Sequence, residues 1–418
     1  MDDASVSDKV RIAIVGGGAA GYFSAIACAE KNPKLEVHLI EGTNRPLNKV
    51  RISGGGRCNV THACFEPAPL TKNYPRGFRE LLGPFHSFQP KDTVKWFAAR
   101  GVVLKTEDDG RMFPESNKSE TIAQCLEGSA RSAGVHLRLG EIVKSIRLDQ
   151  HQKFILETRQ RIETFDVVLL ATGSAPIGHK IAHSLGHTLV ESVPSLFTFE
   201  VQDQRLEGLS GLSFSDVEIK LIAPDTKQDF VQRGPMLITH WGLSGPAVLK
   251  LSAWAARFLY KMEYKATLRI AILPNTNREI LIAKLTEFKN THSKKMLKNE
   301  VPLQLPKRYW HKLLDIHLEN PDLLWADVSK KKLTSLVEEL VCAEFKISGK
   351  GTFKEEFVTA GGVPLAEVDF RSMQSKIVKN LFFAGEILDV DGVTGGFNFQ
   401  NAWTTGWIAG QSIGTLQA

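Results

Sequence analysis

Three glycines near the start of the chain constrain its fold more than any other feature. The apolar segment KVRIAIV predicts a strand buried on both faces, and GYFSAIACAEKN predicts a helix. Between them lie Gly16, Gly18 and Gly21, spaced as G-x-G-x-x-G. In a dinucleotide-binding turn the first glycine permits the bend, the second admits a pyrophosphate, and the third lets helix and strand pack closely.

The residues after this turn strengthen the prediction of a dinucleotide site. The helix N-terminus offers free N–H groups to phosphates, and Ala19 and Ala20 leave the approach uncrowded. LEVHLIE predicts a second strand that ends in Glu41, about 20 residues beyond the glycines, where an acid that binds ribose belongs. The alternative is a glycine-rich turn followed by a surface glutamate.

The segment NRPLNKVRISGGGRCNVTH follows the second strand and predicts a second contact with the cofactor. Its three consecutive glycines, Gly54–Gly56, can present backbone N–H groups to an anion. The side chains of Lys49 and Arg57 can supply positive charge to a diphosphate. The alternative is a flexible basic surface loop. The candidate cofactor-binding residues of this segment are Lys49, Ser53, Gly54, Gly55, Arg57 and Cys58.

Two distant segments are typical of FAD enzymes. FDVVLLATG predicts a strand ending in Ala171, Thr172 and Gly173. NLFFAGE predicts a strand ending in Gly385–Glu386, and the carboxylate of Glu386 is placed to bind ribitol hydroxyls. TGGFNFQ then starts a helix whose N–H groups, around Gly396, Asn398 and Phe399, can stabilise negative charge on reduced flavin. One nucleotide domain therefore begins and ends the chain, with an insertion between.

These segments together resemble the YhiN/BaiN-type family of bacterial FAD-dependent oxidoreductases. The resemblance is carried by GGGAAG, KVRISGGGRCNVTH, EDDGRMFP, ATG, THWGLSGPAVL, TAGGVPLAEVD and LFFAGEILDVDGVTGGFNFQNAW, which span nearly the whole chain. Phe397 and Phe399 stand where the family often has Tyr and Leu. The resemblance implies an α/β fold: a glutathione-reductase-type FAD-binding Rossmann domain with an inserted small β-barrel and a helical subdomain.

The pattern of the middle of the chain agrees with such an insertion. We expect the FAD domain over 1–190 and 358–418, the inserted β-barrel over 191–275 and 341–357, and a lysine-rich helical subdomain over 276–340. Within that subdomain REILIAKLTEFKN, SKKMLKNEVP, LPKRYWHKLLDIHLEN and SKKKLTSLVEELV predict helices.

Basic residues concentrate in the predicted helical subdomain, with Tyr309 and Trp310 among them. One interpretation is a surface for structured RNA, where lysines contact phosphates and aromatic rings stack on bases. The other is a solvated helix face, because glutamates interleave with the lysines. The basic cluster comprises Lys294, Lys295, Lys298, Lys307, Arg308, Lys312 and Lys330–Lys332.

Composition limits the remaining classes of protein. The net charge of +6 permits an anionic partner without requiring one. The five cysteines form no C-x-x-C pair, so we expect neither a disulfide framework nor a metal site, and a reducing, cytoplasmic location. The polar start MDDASVSDK predicts no signal peptide, and no apolar run is long enough to predict a membrane span.

The chemistry predicted is flavin-based reduction. Only one G-x-G-x-x-G follows a strand, so NAD(P)H has no dedicated domain and is expected to visit the flavin transiently. Cys58 and His240 are the candidate catalytic proton donors. Each has an alternative, since Cys58 can serve packing and His240 can cap a turn.

Two classes of function stay open at this stage. The first is an FAD-dependent oxidoreductase that reduces a C=C or C=O bond. The resemblance offers it a uridine in ribosomal RNA, reduced to dihydrouridine, or a steroid-like bile acid, and an amine is a further alternative. The second class is a flavin-binding protein that binds RNA or another partner and uses redox as a switch.

Overall fold

The chain forms two compact units. The computed structural model describes residues 9–223, 229–318, 322–351 and 358–416. The first unit comprises Met1–Ser195 and Phe357–Ala418, and the second comprises Leu196–Glu356. The chain therefore leaves the first unit and returns to it. The second unit overlaps the expected insertion, although residues 191–195, which we assigned to that insertion, belong to the first unit.

The first part of the chain, up to residue 195, alternates strands and helices. Its strands are β1 (Arg11–Val15), β2 (Glu36–Glu41), β3 (Thr61–His62), β4 (Leu104–Thr106), β5 (Arg111–Pro114), β6 (His136–Leu139), β7 (Val143–Leu148), β8 (Phe154–Thr158), β9 (Ile162–Phe165), β10 (Val167–Leu170) and β11 (Val190–Ser195). Its helices are α1 (Ala19–Lys31), α2 (Asn48–Gly56), α3 (Pro67–Thr71), α4 (Leu82–Ser87), α5 (Pro90–Ala98), α6 (Ser119–Ser132) and α7 (Pro176–Ser184).

The second unit combines a sheet with five helices over its described residues. Its strands are β12 (Phe199–Glu200), β13 (Ser213–Ile222), β14 (Phe230–Ile238), β15 (Gly242–Ser244), β16 (Ala266–Ala271), β17 (Ala343–Ile347) and β18 (Gly349–Lys350). Its helices are α8 (Pro246–Trp254), α9 (Ala256–Lys261), α10 (Arg278–Thr291), α11 (Lys307–His317) and α12 (Lys330–Cys342), with 3-10 turns at Pro302–Gln304 and Trp325–Asp327.

The last part of the chain completes the first unit. Its strands are β19 (Val358–Gly362), β20 (Val368–Asp369), β21 (Gln374–Ser375) and β22 (Leu381–Phe383). 3-10 turns follow β19 and β22, at Leu365–Glu367 and Gly385–Ile387, and the long helix α13 (Phe397–Gly414) ends the described chain.

A Rossmann-type sheet forms the centre of the first unit. Its seven strands are ordered β20-β21-β22-β10-β1-β2-β6, and the five from β22 to β6 are parallel. β1 and β10 are almost wholly apolar and buried, as strands covered on both faces must be. Because parallel strands end at one edge, the turns that follow β1, β2, β10 and β22 meet there, which is where the predicted cofactor segments lie.

Helices α1 and α13 pack closely because small residues face each other. A Cβ atom at Gly406 would lie 2.8 Å from the carbonyl oxygen of Ala20, and one at Gly410 would lie 2.5 Å from that of Ser24. Contacts this short exclude any side chain at these two positions. The glycine spacing of α13 thus serves core packing, and it brings the start of the chain against its end.

The second unit contains a seven-stranded antiparallel sheet ordered β17-β16-β13-β14-β15-β12-β18. Its core continues from this sheet into the helices α10, α11 and α12. Three of the four predicted helical segments are confirmed by α10, α11 and α12. The fourth, SKKMLKNEVP, is wrong, because residues 293–301 form turns around the buried Leu297.

The aromatic residues of the lysine-rich region are core residues. Trp310 is fully buried, stacks on Trp325 with ring centroids 5.8 Å apart, and donates its indole N–H to the carbonyl of Leu297 at 2.8 Å. Tyr309 is buried against Phe214. The interpretation in which these rings stack on bases is therefore wrong, because helical periodicity turns both rings into the core. Among the described residues, no helix is both long and apolar enough to cross a bilayer.

Candidate flavin site

The glycine turn between β1 and α1 is closed by contacts that tolerate no side chain. Gly16 has a φ of +111°, and a Cβ there would lie 2.4 Å from the carbonyl oxygen of Ala171. At Gly21 a Cβ would lie 1.9 Å from the carbonyl oxygen of Gly16. These two glycines therefore let β1, α1 and the end of β10 approach one another.

Gly18 differs from the other two because it faces open space. It is the N-cap of α1, in extended conformation, and a Cβ there would meet no atom of the described residues within 4 Å. The first bond of α1 runs from the N–H of Tyr22 to Gly18, so the N–H groups of Ala19, Ala20 and Gly21 have no carbonyl partner within the helix. This cradle fits a diphosphate, and a larger side chain at Gly18 would fill it.

Glu41 ends β2 beside the glycine turn. One carboxylate oxygen accepts the N–H of Gly17 at 2.7 Å, and the other accepts the N–H and hydroxyl of Thr43, both at 2.8 Å. A carboxylate has about four acceptor sites, so one remains for a ribose hydroxyl. The sequence predicted the ribose role, whereas the bonds that tie Glu41 to its own turn appear only in the structure.

A second carboxylate lies where β10 and β22 end. Glu386 accepts a bond from Lys49 Nζ at 2.6 Å and another from the N–H of Thr359 at 3.0 Å. Gly173 is adjacent, since a Cβ there would lie 3.6 Å from Glu386 Oε2. Gly385 has a φ of +76° and packs against Ala20. The structure thus brings together Lys49, Gly173 and Glu386, residues far apart in sequence.

The three glycines at the C-terminal end of α2 form an exposed loop. Gly54, Gly55 and Gly56 have φ values of +58°, +68° and +83°, which glycine adopts readily. The loop closes on the carbonyl of Ser53, which accepts the N–H groups of Arg57 and Cys58. A Cβ atom added at Gly55 or Gly56 would meet no atom of the described residues within 4 Å. The backbone of these two glycines is therefore open to a ligand.

The side chain of Arg57 is already paired, and that of Cys58 is buried. Arg57 donates to Glu107 at 2.6 Å and lies over the ring of Phe113, so its charge is neutralised locally. Cys58 has a φ of +61° and a fully buried side chain. Burial raises the pKa of the Cys58 thiol to about 12, and it therefore keeps its proton at neutral pH.

The other candidate proton donor lies elsewhere in the chain. His240 occupies an exposed bend between β14 and β15 of the second unit, next to Trp241. Cys58 belongs to the first unit and His240 to the second.

The N-terminus of α13 is the second helix end at this site. Its first helical bond runs from Gln400 to the carbonyl of Gly396, which leaves the N–H groups of Phe397, Asn398 and Phe399 without helical partners. Asn398 itself exchanges two bonds of 2.8 Å with the backbone of Gly392. Its side chain therefore shapes the preceding loop, and the backbone N–H groups are left available for the contact with flavin, which stays a prediction.

Two buried polar side chains at this site have an atom without a hydrogen-bond partner among the described residues, and the sequence predicted only the first of them. These atoms are Thr172 Oγ1 and His179 Nε2. Burial lowers the pKa of His179, and the nearby Glu386 opposes that effect. Thr172 was predicted from the ATG segment. His179 stands alone on α7, in a pattern that carries no motif.

The residues present fit FAD. An open diphosphate cradle, two carboxylates for hydroxyl groups and two helix N-termini for negative charge lie at the turns of one sheet.

An open cavity of about 540 Å³ lies elsewhere, at the edge strand β6. It is lined by arginines that are already paired with acids, such as Arg138 with Glu141. Among the described residues, no group of three His, Cys, Asp or Glu side chains is arranged to hold a metal ion.

Comparison with known families gives one match over nearly the whole chain. The family described as HI0933-like protein Rossmann domain matches residues 10–412.

Relatives and solved structures cover the chain as fully. The ribosomal RNA dihydrouridine synthase of Escherichia coli (strain K12) is 29% identical and covers 96% of this chain and 97% of its own. The 3-dehydro-bile acid delta(4,6)-reductase of Clostridium scindens is 27% identical over 96% of this chain and 98% of its own. The structure of 3-ketosteroid-delta4-(5alpha)-dehydrogenase from Rhodococcus jostii RHA1 aligns over 99% of both chains with a TM-score of 0.51 and 13% identity, a likeness of fold.

Proposed function

The chain belongs to the HI0933-like Rossmann-domain family, and from that premise we propose that it is an FAD-dependent oxidoreductase that reduces a C=C or C=O bond. The observation that carries the proposal is the cradle at Gly18 together with the carboxylates of Glu41 and Glu386 at the same sheet edge. Bound FAD supplies the hydride chemistry, and the protein supplies binding, orientation and electrostatics.

Each part of the site has a separate task. The N–H groups at the start of α1 hold the diphosphate, while Glu41 accepts ribose hydroxyls and Glu386 accepts ribitol hydroxyls. The N–H groups at the start of α13 stabilise negative charge on the reduced ring. Lys49 bonds to Glu386 and holds this carboxylate in position.

A proton must accompany the hydride, and two residues are candidates to supply it. Cys58 holds its proton at neutral pH because burial raises its pKa to about 12, and it lies in the glycine loop of the flavin site. His240 is exposed in the second unit. Replacing each by alanine and comparing turnover at a fixed pH distinguishes them, because only the donor's loss slows protonation of the product.

The proposed substrate is a uridine in structured ribosomal RNA, reduced at its C5–C6 bond. Support comes from the name of the Escherichia coli relative, from the net charge of +6, and from exposed lysines such as Lys330 and Lys331. A steroid-like substrate is the second candidate, and the name of the Clostridium scindens relative favours it. NAD(P)H is proposed as a transient electron donor, because the chain has one G-x-G-x-x-G turn.

The second unit is proposed to hold a small β-barrel with a helical subdomain. The two edge strands of its sheet, β17 and β18, are separated in sequence only by Ser348. One stretch of chain therefore pairs with β16 through its first half and with β12 through its second half, which supports closure of the sheet.

Mass spectrometry of ribosomal RNA from cells with and without the gene tests the substrate. We expect one dihydrouridine to disappear in the deletion strain and to return with the wild-type gene, and Gly18→Val to fail to restore it. Equal dihydrouridine content in all strains rules out this substrate. In parallel, NAD(P)H oxidation by purified protein separates an enzyme from a flavin-binding protein that only switches partner binding, which would show no sustained turnover.

A further inference from the structure

One short segment, Asn73–Gly77, holds the loop that precedes α13. The N–H of Val393 donates to the carbonyl of Asn73 at 2.8 Å. The guanidinium of Arg76 forms a two-pronged ion pair with Asp391, whose side chain is fully buried. A buried, bidentate pair of this kind fixes both orientation and distance, so the loop has one position relative to the segment.

Tyr74 extends this grip to the helix itself. Its side chain is fully buried, and its hydroxyl donates to the carbonyl of Phe397, the first residue of α13, at 2.7 Å. Its ring lies against Phe85 and so close to Gly392 that a Cβ there would be 3.2 Å from the ring. The hydroxyl and the ring of Tyr74 thus contact the loop and the first turn together.

A second segment, which follows the glycine loop of the flavin site, also holds this turn. With its amide oriented to satisfy both partners, Asn59 donates to the carbonyl of Thr61 at 3.0 Å and accepts the N–H of Gly396 at 2.9 Å. Gln400, one turn into α13, is buried and accepts hydroxyl bonds from Thr61 and Thr93. Two separate segments, Asn73–Gly77 and the one that contains Asn59 and Thr61, therefore fix the first turn of α13.

We propose that Tyr74 and the Arg76–Asp391 pair are positioning residues that fix the N-terminus of α13 and thereby set the reduction potential of the bound flavin. The inference rests on the proposed function, since it requires FAD at this site. The influence of a helix end on a charge decreases within one turn, so a small displacement of Phe397–Phe399 weakens it. Reduced flavin carries the negative charge that this helix end stabilises. A displaced helix end therefore weakens the binding of reduced flavin more than that of oxidised flavin.

Thermodynamic linkage separates this role from a structural one. The potential of a bound flavin reports the ratio of its affinities in the reduced and oxidised states. A residue that only stabilises the fold weakens both affinities equally, and the potential stays the same. A residue that positions the helix end weakens reduced flavin more, and the potential falls.

The test uses Tyr74→Phe, which removes only the hydroxyl. Tyr309→Phe is the matched control, because it removes a hydroxyl from another buried tyrosine, in the second unit. Dye-equilibrated titration of the flavin-loaded proteins is expected to give Tyr74→Phe a ratio of reduced to oxidised flavin about threefold lower than wild type at a fixed potential, which is a decrease in reduction potential of about 14 mV for a two-electron couple. The control is expected to match wild type.

Arg76→Lys gives an independent measurement. Lysine keeps the charge beside Asp391 but loses the two-pronged geometry, so the potential is expected to fall in the same direction. The inference is overturned if both variants bind FAD and keep the wild-type potential, even if their melting temperatures fall. If wild-type protein binds no FAD, the proposed function fails instead, and the two failures are thus distinguishable.

Discussion

The flavin region of the first unit and the lysine-rich helices of the second unit differ in how their sequence relates to their structure. In the flavin region, glycines fix the backbone, and Gly16 and Gly21 meet carbonyl oxygens at distances no side chain allows. In the lysine-rich region the lysines are exposed or half-buried, and Trp310 is core. Glycine spacing therefore specifies geometry, whereas a basic composition specifies only which helix face is solvated.

One ion pair from each of the two regions shows the same contrast. Lys49 and Glu386 are far apart in sequence. The fold nevertheless places Lys49 Nζ 2.6 Å from Glu386 Oε2, beside the other predicted cofactor residues. In the second unit, Lys298 pairs with the nearby Asp322 at the surface. Both lysines are about half exposed, and exposed pairs are worth about 0–1 kcal/mol, so the Lys49 pair is informative through its position among the predicted cofactor residues and not through its strength. The following predictions test this contrast, starting from the largest effect.

Removing the buried ring of Trp310 tests whether this region's aromatics serve the core. Trp310→Ala is expected to lower the free energy of unfolding by about 3–5 kcal/mol, because it leaves a large cavity beside Trp325. Urea denaturation measures the change. Lys307→Ala, an exposed neighbour on the same helix, is expected to stay within about 0.5 kcal/mol of wild type. Wild-type stability in Trp310→Ala would return the ring to an RNA-facing role.

Filling the cradle at Gly18 tests the flavin region directly. Gly18→Val places a branched side chain where the diphosphate approaches, and we expect FAD affinity to fall at least about a hundredfold, or ~2.8 kcal/mol. Fluorescence titration of the flavin-free protein measures it. Gly128→Val is the matched control, because a Cβ there also meets open space, but on helix α6. Equal affinity in Gly18→Val and the control would refute the cradle.

Replacing Glu41 tests the ribose contact. Glu41→Ala is expected to weaken FAD by about 1.5–3 kcal/mol, the worth of hydrogen bonds to a charged group. Glu41→Gln keeps an acceptor for the N–H of Gly17 and is expected to lose less. The same titration measures both variants, and unchanged affinity in Glu41→Ala would return this residue to a purely local role in its turn.

Removing two exposed lysines tests the proposed RNA surface. Replacing Lys330 and Lys331 by alanine is expected to reduce the slope of log affinity against log salt by up to ~2 units, about 0.7–0.9 per lost phosphate contact. Binding of a ribosomal RNA fragment between low and moderate salt gives the slope. Lys298→Ala, whose lysine already pairs with Asp322, is the control and should change it less. Identical slopes in all three proteins would favour a solvated helix face.

The sequence predicted the parts of the fold that depend on local pattern. The strand–turn–helix at Gly16–Gly21, the acid at Glu41 and the helix after Gly396 follow from spacing and glycine chemistry. The segments FDVVLLATG and NLFFAGE, typical of FAD enzymes, linked the start of the chain to its end. The structure places the ATG turn of the first segment against Gly16.

The sequence could not predict contacts that only the tertiary fold creates. Nothing in NYPRG indicates that Tyr74 and Arg76 hold a loop more than 300 residues away. Residues 293–301 have helical spacing, but Leu297 is drawn into the core through turns instead. Charge patterning likewise could not show that Arg57 pairs with Glu107. In each case the partner is specified by packing.

The central claim is that this sheet edge binds FAD, and the flavin content of the purified protein tests it most directly. We expect yellow protein whose supernatant after denaturation contains about one FAD per chain, released intact because no covalent link is proposed. Protein purified without flavin should take up FAD on incubation, with the spectrum of a bound flavin. Colourless protein that stays colourless after incubation with excess FAD would contradict the account.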